Sequence, residues 1–340
     1  YAMQAIEVHQ LSKTFLAKHK AAGFRGSLRA LVRPQMQAVE ALREISFAME
    51  EGELLGFIGP NGAGKSTTIK ILTGILHPSS GEARVLGLVP WRERRQLAFQ
   101  LGSVFGQRPQ LWYHLPAIDT FELFGRMYEV EPRELRRRLD LLTEVFEIGD
   151  LLETPVRKLS LGQRMRCEVV ASLLHEPRLL LLDEPSIGLD VVAKQRLRDA
   201  SRRLNEQEGV SVLLTSHDAG DIEALCQRVI IVNNGQPVFD DQVAALKKRY
   251  LKVKHVAARY ERALAPDFCV DGAEVLRLEE GEVVLSFDAR RIPAGAIVEQ
   301  LSGAGNLVDL VISEPALEEV IREIYQEAGQ FQPVEGGTPP

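Results

Sequence analysis

The sequence predicts an α/β fold with a mainly parallel sheet, because short apolar runs alternate with helical patterns. The runs Leu54–Ile58, Leu179–Leu182 and Val210–Leu214 have the composition of strands that are buried on both faces of a parallel sheet. Apolar residues at helical spacing fill the region between the first two runs, at 117–128, 132–146 and 160–175. We therefore expect an α/β core that carries a helical subdomain at about 108–175.

Composition and charge exclude some classes of protein. The chain has 340 residues and a formal net charge of −6, whereas a general nucleic-acid-binding domain is normally basic. No apolar run reaches the ~18 residues that a membrane-spanning helix needs, so a membrane function would require a separate membrane partner. The widely spaced Cys167, Cys226 and Cys269 favour reduced thiols in a cytosolic protein.

Two regions differ from the rest of the predicted core domain, which spans 1–240. In the segment 16–38, Arg25, Arg29 and Arg33 recur every fourth residue opposite apolar side chains, which predicts an inserted basic amphipathic helix. The segment 241–329 is expected to form a small α+β domain. Its predicted elements are a helix at 242–249, strands at 251–258, 273–279 and 282–287, a helix at 294–302, a strand at 306–312 and a helix at 316–327. The tail, 330–340, contains Gly-Gly and Pro-Pro and is expected to be disordered.

A phosphate-binding loop is predicted directly after the first apolar run. Residues 59–66, Gly-Pro-Asn-Gly-Ala-Gly-Lys-Ser, fit the pattern G-x-x-x-x-G-K-[ST] and lie between a strand and a helix, as that motif requires. Glycines let backbone N–H groups point at phosphate oxygens. Lys65 would reach the β- and γ-phosphates, and the Ser66 hydroxyl would bind Mg²⁺. The residues expected to contact nucleotide here are Gly59, Asn61, Gly62, Gly64, Lys65, Ser66 and Thr67.

An acidic pair follows the second apolar run. Asp183 and Glu184 come directly after Leu179–Leu182, and the carboxyl ends of parallel strands are where α/β sheets bind ligands. Beside a phosphate-binding loop, Asp183 is expected to hold Mg²⁺ and Glu184 to activate the attacking water as general base. Without that loop, an acidic pair at this position would more often be the solvated end of a strand.

A third motif lies between the loop and Asp183, where residues 159–164 are Leu-Ser-Leu-Gly-Gln-Arg at the start of an amphipathic helix. It resembles the Leu-Ser-Gly-Gly-Gln signature of the nucleotide-binding domains of the ABC transporter family. The resemblance implies a P-loop NTPase cassette in which two domains dock head to tail, each signature closing over the ATP of the other. Ser160, Gly162 and Gln163 would then contact nucleotide. Leu161 departs from the family pattern, in which glycine is commoner.

The remaining elements of that family occur in the expected order between about residues 5 and 240. Gln107 matches the glutamine that senses the γ-phosphate and Mg²⁺, Asp190 matches the D-loop aspartate, and His217 matches the switch histidine. Phe15 fits the aromatic residue that stacks on adenine. The catalytic residues implied by the resemblance are Glu184, His217 and Gln107, and the implied Mg²⁺ ligands are Ser66, Gln107 and Asp183.

Within the family, residues 105–119 resemble bacterial ABC-2-type exporters of drugs and natural products, which commonly carry a small C-terminal domain. The resemblance implies an ATP-binding and ATP-hydrolysing subunit that powers a separate transmembrane permease for export of a drug-like, lipid or natural-product substrate. Its implied partners are that permease and a second ATPase subunit, identical or paralogous, at the cytoplasmic face of the cell membrane, with no nucleic acid. A soluble ABC ATPase acting on ribosomes or DNA is the alternative; the single cassette, without heptads or cysteine clusters, disfavours it.

Overall fold

The structure is a computed structural model that describes residues 4–18, 36–106, 109–250, 253–265, 267–279, 281–313 and 317–327. The chain divides into two compact units, Tyr1–Asp240 and Asp241–Pro340. The tail at 330–340 and the predicted amphipathic helix, which covers Phe24–Arg33, lie outside the described residues. The predicted bounds of the insertion that contains this helix, 16–38, are wrong at both ends, because residues 16–18 and 36–38 belong to paired strands.

Two sheets organise the first unit. Its strands in chain order are β1 (Gln4–Lys18), β2 (Met36–Glu50), β3 (Leu54–Ile58), β4 (Ser80–Val85), β5 (Leu101–Phe105), β6 (Leu179–Asp183), β7 (Ser211–Ser216), β8 (Arg228–Asn233) and β9 (Gln236–Gln242). The larger sheet has the order β5-β6-β7-β3-β8-β9, and the pairs β5–β6, β6–β7, β7–β3 and β3–β8 are parallel. β3, β6 and β7 are buried along their whole length, which explains their apolar composition. This topology confirms the predicted α/β fold with a mainly parallel sheet.

The smaller sheet, β2-β1-β4, is antiparallel and was not predicted. β1 and β2 form a long ladder that extends from Gln4 and Glu50 to Lys18 and Met36. The register shifts between Val8 and Leu11, and Gln10 between them has a φ of 46°. Such an irregularity moves the following side chains to the other face of the strand. The alternation of apolar and polar residues that identifies a strand in the sequence is therefore interrupted.

Helices connect the strands of the first unit. They are α1 (Lys65–Leu72), α2 (Arg94–Ala98), α3 (Ala117–Met127), α4 (Pro132–Phe146), α5 (Leu161–Leu173), α6 (Val191–Glu208) and α7 (Ala219–Leu225). Local signals set several of these boundaries. For example, Glu131 precedes the proline at the start of α4, and its carboxylate accepts the N–H groups of Arg133 and Glu134. Among the described residues, no helix is both long enough and apolar enough to cross a membrane.

The second unit is an antiparallel sheet with helices. Its elements are α8 (Val243–Tyr250), β10 (Val253–Tyr260), β11 (Ala273–Glu279), β12 (Glu282–Asp288), α9 (Ala294–Gly303), β13 (Leu307–Ser313) and α10 (Leu317–Glu327), and the strand order is β11-β12-β10-β13. Every second residue of β12 is buried, and these side chains share a core with Ile297 and Leu301 of α9. This alternation is the pattern of a sheet with one face on a core.

Candidate nucleotide-binding and hydrolysis site

The loop predicted to bind phosphate connects the buried end of β3 to the first turn of α1. Gly62 and Gly64 have positive φ angles of 84° and 103°, which glycine adopts without the steric penalty of a Cβ atom. Because the loop ends at a helix N-terminus, unpaired N–H groups and the helix dipole favour an anion there. A cavity of about 520 Å³ lies over the loop. Its lining consists of Ala41, Asn61, Gly62, Ala63, Gly64, Lys65, Ser66, Thr67, Lys70, Phe105, Asp183, Glu184, Ile187 and His217.

The side chain of Lys65 is buried against the loop from which it extends, with 4% of its surface exposed. Its Nζ donates a hydrogen bond to the Gly59 carbonyl oxygen at 2.7 Å and lies 3.2 Å from Oε1 of Glu184. A buried ammonium group needs such oxygen partners, because its removal from water is otherwise strongly unfavourable. These contacts fix a positive charge where the N–H groups of the loop also favour an anion.

Asp183 is the last residue of β6 and is buried. Its Oδ1 accepts hydrogen bonds from the Ser66 hydroxyl at 3.0 Å and from the Thr215 hydroxyl at 2.8 Å. Oxygen ligands of this kind suit Mg²⁺, which is usually bound by one or two carboxylates together with substrate phosphates and waters. The described residues contain no cluster of three or more His, Cys, Asp or Glu side chains that could hold a metal. The adjacent Ser66 and Asp183 oxygens therefore fit Mg²⁺ held jointly with phosphate, and not an all-protein metal cage.

The Glu184 carboxylate lies between two nitrogen groups of the cavity. Besides the Lys65 contact, its Oε2 lies 3.4 Å from Nδ1 of His217. Glu184 has a φ of 53°, an uncommon conformation for a residue with a Cβ, and such conformations concentrate at functional sites. The Thr215 hydroxyl accepts the Glu184 N–H at 3.0 Å and stabilises this turn of the chain. The geometry places a carboxylate beside the phosphate-binding loop, where a general base is required.

His217 follows β7 and is half-exposed. Since β6 and β7 are parallel neighbours, their carboxyl ends meet at one edge of the sheet. Asp218, the next residue, accepts the Gly220 N–H at the start of α7 and pairs with Nζ of Lys194 at 2.5 Å. Lys194 belongs to α6, so this ion pair links the segment that carries His217 to the helix that begins at Asp190.

The signature and the D-loop contain the other residues that are expected to contact nucleotide. None of these residues lines the cavity of its own chain. Ser160 caps α5: its hydroxyl accepts the Gln163 N–H at 3.2 Å, and the Gln163 side chain accepts the Ser160 N–H at 2.9 Å. Gly188 has a φ of 71°, and a Cβ there would lie 2.8 Å from Cδ2 of Leu161. Gly162 is buried close to Ala193 of α6, and Asp190 caps that helix. Residues 160–163 and 188–190 therefore pack together, and we call them the signature surface.

Phe15, which the resemblance places against adenine, does not line the cavity. Phe15 is exposed on β1, where it pairs with Val39, and Nζ of Lys13 lies 5.2 Å from the centroid of its ring. Gln107 lies outside the described residues. The structure adds a residue that the sequence did not reveal, because Thr215 binds both Asp183 and Glu184. Its position at the carboxyl end of a strand next to β6 is the only signal that could have indicated this role.

The fold and this site define a P-loop nucleoside triphosphatase. The family profile described as ABC transporter matches residues 42–187. The ABC transporter ATP-binding protein NatA of Bacillus subtilis (strain 168) is 30% identical over 210 residues, which are 62% of this chain and 85% of that protein. The linearmycin resistance ATP-binding protein LnrL of the same organism is 28% identical over 284 residues, 82% of this chain and 91% of that protein. The chain belongs to the ABC transporter family as an ATP-binding subunit, and it is an ATP hydrolase.

Solved structures have the same fold. One structure, described as the ATP-binding subunit of an ABC transporter, has a TM-score of 0.59 at 25% identity. The match covers 72% of this chain and 93% of that one. Another is the dimeric structure of a post-hydrolysis state of the ATP-binding cassette MJ0796 bound to ADP and Pi. It has a TM-score of 0.58 at 23% identity, and the match covers 70% of this chain and 98% of that one.

Proposed function

We propose that this chain uses ATP hydrolysis to drive a separate transmembrane permease that exports a drug-like, lipid or natural-product substrate. The observation that carries the proposal is the convergence of Lys65, Asp183 and Glu184 on the loop at 59–66, which supports phosphoryl transfer to water. The exporting role is supported by the relative LnrL, whose name describes linearmycin resistance.

ATP binds with its phosphates against the N–H groups of residues 59–66 and the ammonium group of Lys65. The Ser66 hydroxyl and the Asp183 carboxylate, 3.0 Å apart, hold Mg²⁺. When bound, this ion neutralises charge on the β- and γ-phosphate oxygens. We assign a further sensing role to Gln107 on family resemblance.

Glu184 accepts a proton from the attacking water. A bond forms between the water oxygen and the γ-phosphorus while the bond from that phosphorus to the bridging oxygen of ADP breaks, which releases ADP and phosphate. His217 orients the γ-phosphate from the edge of the cavity, and its Nδ1 also faces Glu184. These electrostatic and positioning contributions are the main sources of catalysis in phosphoryl transfer.

A second ATPase subunit, identical or paralogous, completes the site. No residue of the signature surface lines the cavity of its own chain, so Ser160, Gln163 and Asp190 contact the nucleotide of a partner in this proposal, where the small Gly162 lets the backbone approach it closely. Ser160 is the N-cap of α5, and a helix N-terminus favours the negatively charged γ-phosphate. The dimeric relative MJ0796 supports this arrangement.

The permease contacts the segment that follows Gln107, and the complex lies at the cytoplasmic face of the cell membrane. Trp112 and Tyr113 are 48% and 53% exposed, and clustered exposed aromatic groups are typical of interfaces. Leu115, two residues after Tyr113, is also exposed, so three large side chains of this short segment are exposed.

Affinity purification of the full chain from solubilised membranes tests this contact. We expect recovery of one multispanning membrane protein. Trp112→Ala should reduce this recovery about tenfold or more, because a tryptophan that becomes buried in an interface is a frequent energetic hot spot. The ATPase rate of the isolated chain should not change. Ile75→Ala is the matched control, since Ile75 is 47% exposed elsewhere on the first unit. Equal recovery with both variants, or recovery of ribosomes in place of a membrane protein, would contradict the proposal.

A further inference from the structure

The helix that begins at the signature contains a buried acidic residue. Glu168 lies on α5, eight residues after Ser160, and only 3% of its surface is exposed. Its Oε2 accepts the Gln110 N–H at 2.9 Å, and its Oε1 accepts the Leu111 N–H at 3.3 Å. Burial raises the pKa of Glu168, while these two hydrogen bonds lower it. Both carboxylate oxygens thus bind the backbone of a segment that is distant in the sequence.

The same segment is also connected to the nucleotide cavity. The side-chain amide of Gln110 donates to the Ser103 carbonyl oxygen of β5. β5 continues to Phe105, which lines the cavity. The Gly106 N–H then donates to the Asp183 carbonyl oxygen at 2.9 Å. Residues 109–111 are therefore bound to α5 on one side and to the strand beside Asp183 on the other.

A purely structural role would not require a charge at this position. Burying a carboxylate is unfavourable unless its hydrogen bonds compensate, and one neutral acceptor could serve a single N–H group. A carboxylate can instead accept from two adjacent N–H groups with both oxygens, and charge-assisted bonds are about twice as strong as neutral ones. Glu168 therefore holds the backbone of Gln110 and Leu111 against α5 with both of its carboxylate oxygens.

We propose that Glu168 is a positioning residue that couples the segment 109–111, next to the nucleotide cavity, to the signature at the start of α5. The coupling rests on the proposed function, in which Ser160 contacts the nucleotide of a partner subunit. A displacement of β5 on ATP binding is then transmitted through Gln110 and Glu168 to the signature, about 12 Å away along the helix at ~1.5 Å per residue. All residues of this proposed coupling, from β5 through Gln110 and Glu168 to the signature, belong to one chain.

Glu168→Gln tests the coupling, because a glutamine presents one acceptor oxygen and places an N–H donor against the second backbone N–H. We expect the amide hydrogens of Gln110 and Leu111, which Glu168 binds, to exchange about tenfold faster or more. We also expect kcat for ATP hydrolysis to fall about tenfold, which corresponds to about 1.4 kcal/mol. The Kd for ATP should stay within about twofold, since the contacts of the phosphate-binding loop remain. Hydrogen exchange by mass spectrometry, steady-state kinetics and nucleotide titration measure these three quantities.

Ser172→Ala is the matched control, because Ser172 is buried on the same helix and its hydroxyl donates only to the Val169 carbonyl oxygen. It should change none of the three quantities. Unchanged amide exchange at Gln110 and Leu111, or a fall in kcat no larger than that of the control, would overturn the proposal. If Glu168→Gln does not fold, Glu168→Asp applies the same test, since its shorter side chain cannot reach both N–H groups. An inactive parent chain would contradict the proposed function instead, so the two failures are distinguishable.

Discussion

Asp183 and Glu184 are adjacent in the sequence, but their carboxylates have different surroundings. Asp183 accepts two hydroxyl hydrogen bonds, from Ser66 and Thr215, whereas Glu184 faces Lys65 and the cavity. The φ of 53° at Glu184 turns the chain between them. In the proposed mechanism, this turn of the chain directs the Asp183 carboxylate to Mg²⁺ and the Glu184 carboxylate to the attacking water.

Thr215→Val tests the contribution of the hydroxyl that holds both residues. Thr215 is fully buried, and valine has the same shape without the donor to Asp183 or the acceptor for the Glu184 N–H. Loss of a group that orients a metal ligand typically weakens metal affinity about 10- to 100-fold. We expect the Mg²⁺ concentration for half-maximal ATPase activity to rise by a similar factor. Thr120→Val, at another fully buried threonine, should leave it unchanged; an equal shift in both variants would contradict the role of Thr215.

The sequence alone located the residues that a local motif defines. Lys65 and Ser66 follow from the loop pattern, Asp183 and Glu184 follow from a strand end at the ligand-binding edge of a parallel sheet, and His217 follows from family resemblance. The structure places all five around one cavity. Ala41, Lys70 and Ile187 also line it, but they reach it through tertiary packing, which no local pattern encodes. The roles assigned to these residues stay predictions.

At the element scale, periodicity predicted the helices well. The pattern at 132–146 coincides with α4 (Pro132–Phe146), and that at 160–175 contains α5 (Leu161–Leu173), which the hydrogen-bonded pair Ser160 and Gln163 caps. The antiparallel sheet was missed, because the irregularity at Gln10 interrupts the alternation of β1. The bounds of the insertion at 16–38 were wrongly predicted, because residues 16–18 pair with residues 36–38 across strands that no local pattern indicated.

His175 connects three elements and gives the fold a pH dependence. Its ring stacks on Tyr128, after α3, at 3.9 Å, and its Nε2 lies 3.2 Å from the Leu101 carbonyl oxygen at the start of β5. Burial lowers the pKa of His175 to about 4, from 6.5. The unfolded chain therefore binds a proton between these values while the folded chain does not. The resulting stability is fully present above about pH 6.5 and is lost as the pH falls towards 4, by an amount on the order of 3 kcal/mol.

Denaturant unfolding from pH 7.5 to 4.5 measures this contribution. His175→Phe preserves an aromatic ring next to Tyr128 but cannot bind a proton. We expect this variant to be less stable than the parent at pH 7.5 by about 1 kcal/mol, because a hydrogen bond disappears, and to show a shallower decline than the parent between pH 6.5 and 4.5. An identical slope in the two proteins would show that His175 is not the titrating group.

At the scale of the whole molecule, the order of helix and strand patterns in the sequence indicated the elements of the second unit as well as those of the first. Its helices and strands lie at 243–250, 253–260, 273–279, 282–288, 294–303, 307–313 and 317–327, close to the predicted ranges. In the proposed dimer, the two ATPase subunits meet through the signature surface, residues 160–163 and 188–190. Such surfaces are assembled from distant segments, so only family resemblance could indicate their role.

The most direct test of the shared ATP site is the molar mass of the Glu184→Gln chain in the presence of Mg²⁺ and ATP. Glutamine cannot accept the proton of the attacking water, and loss of a general base slows hydrolysis about 10²- to 10⁴-fold, whereas the contacts that bind ATP remain. Two chains closed over two nucleotides should therefore persist, and light scattering should show a doubled mass after ATP addition. Lys65→Ala, which lacks a charge-assisted phosphate contact, should keep its initial mass under the same conditions. A Glu184→Gln chain that binds ATP and keeps its initial mass would contradict the account.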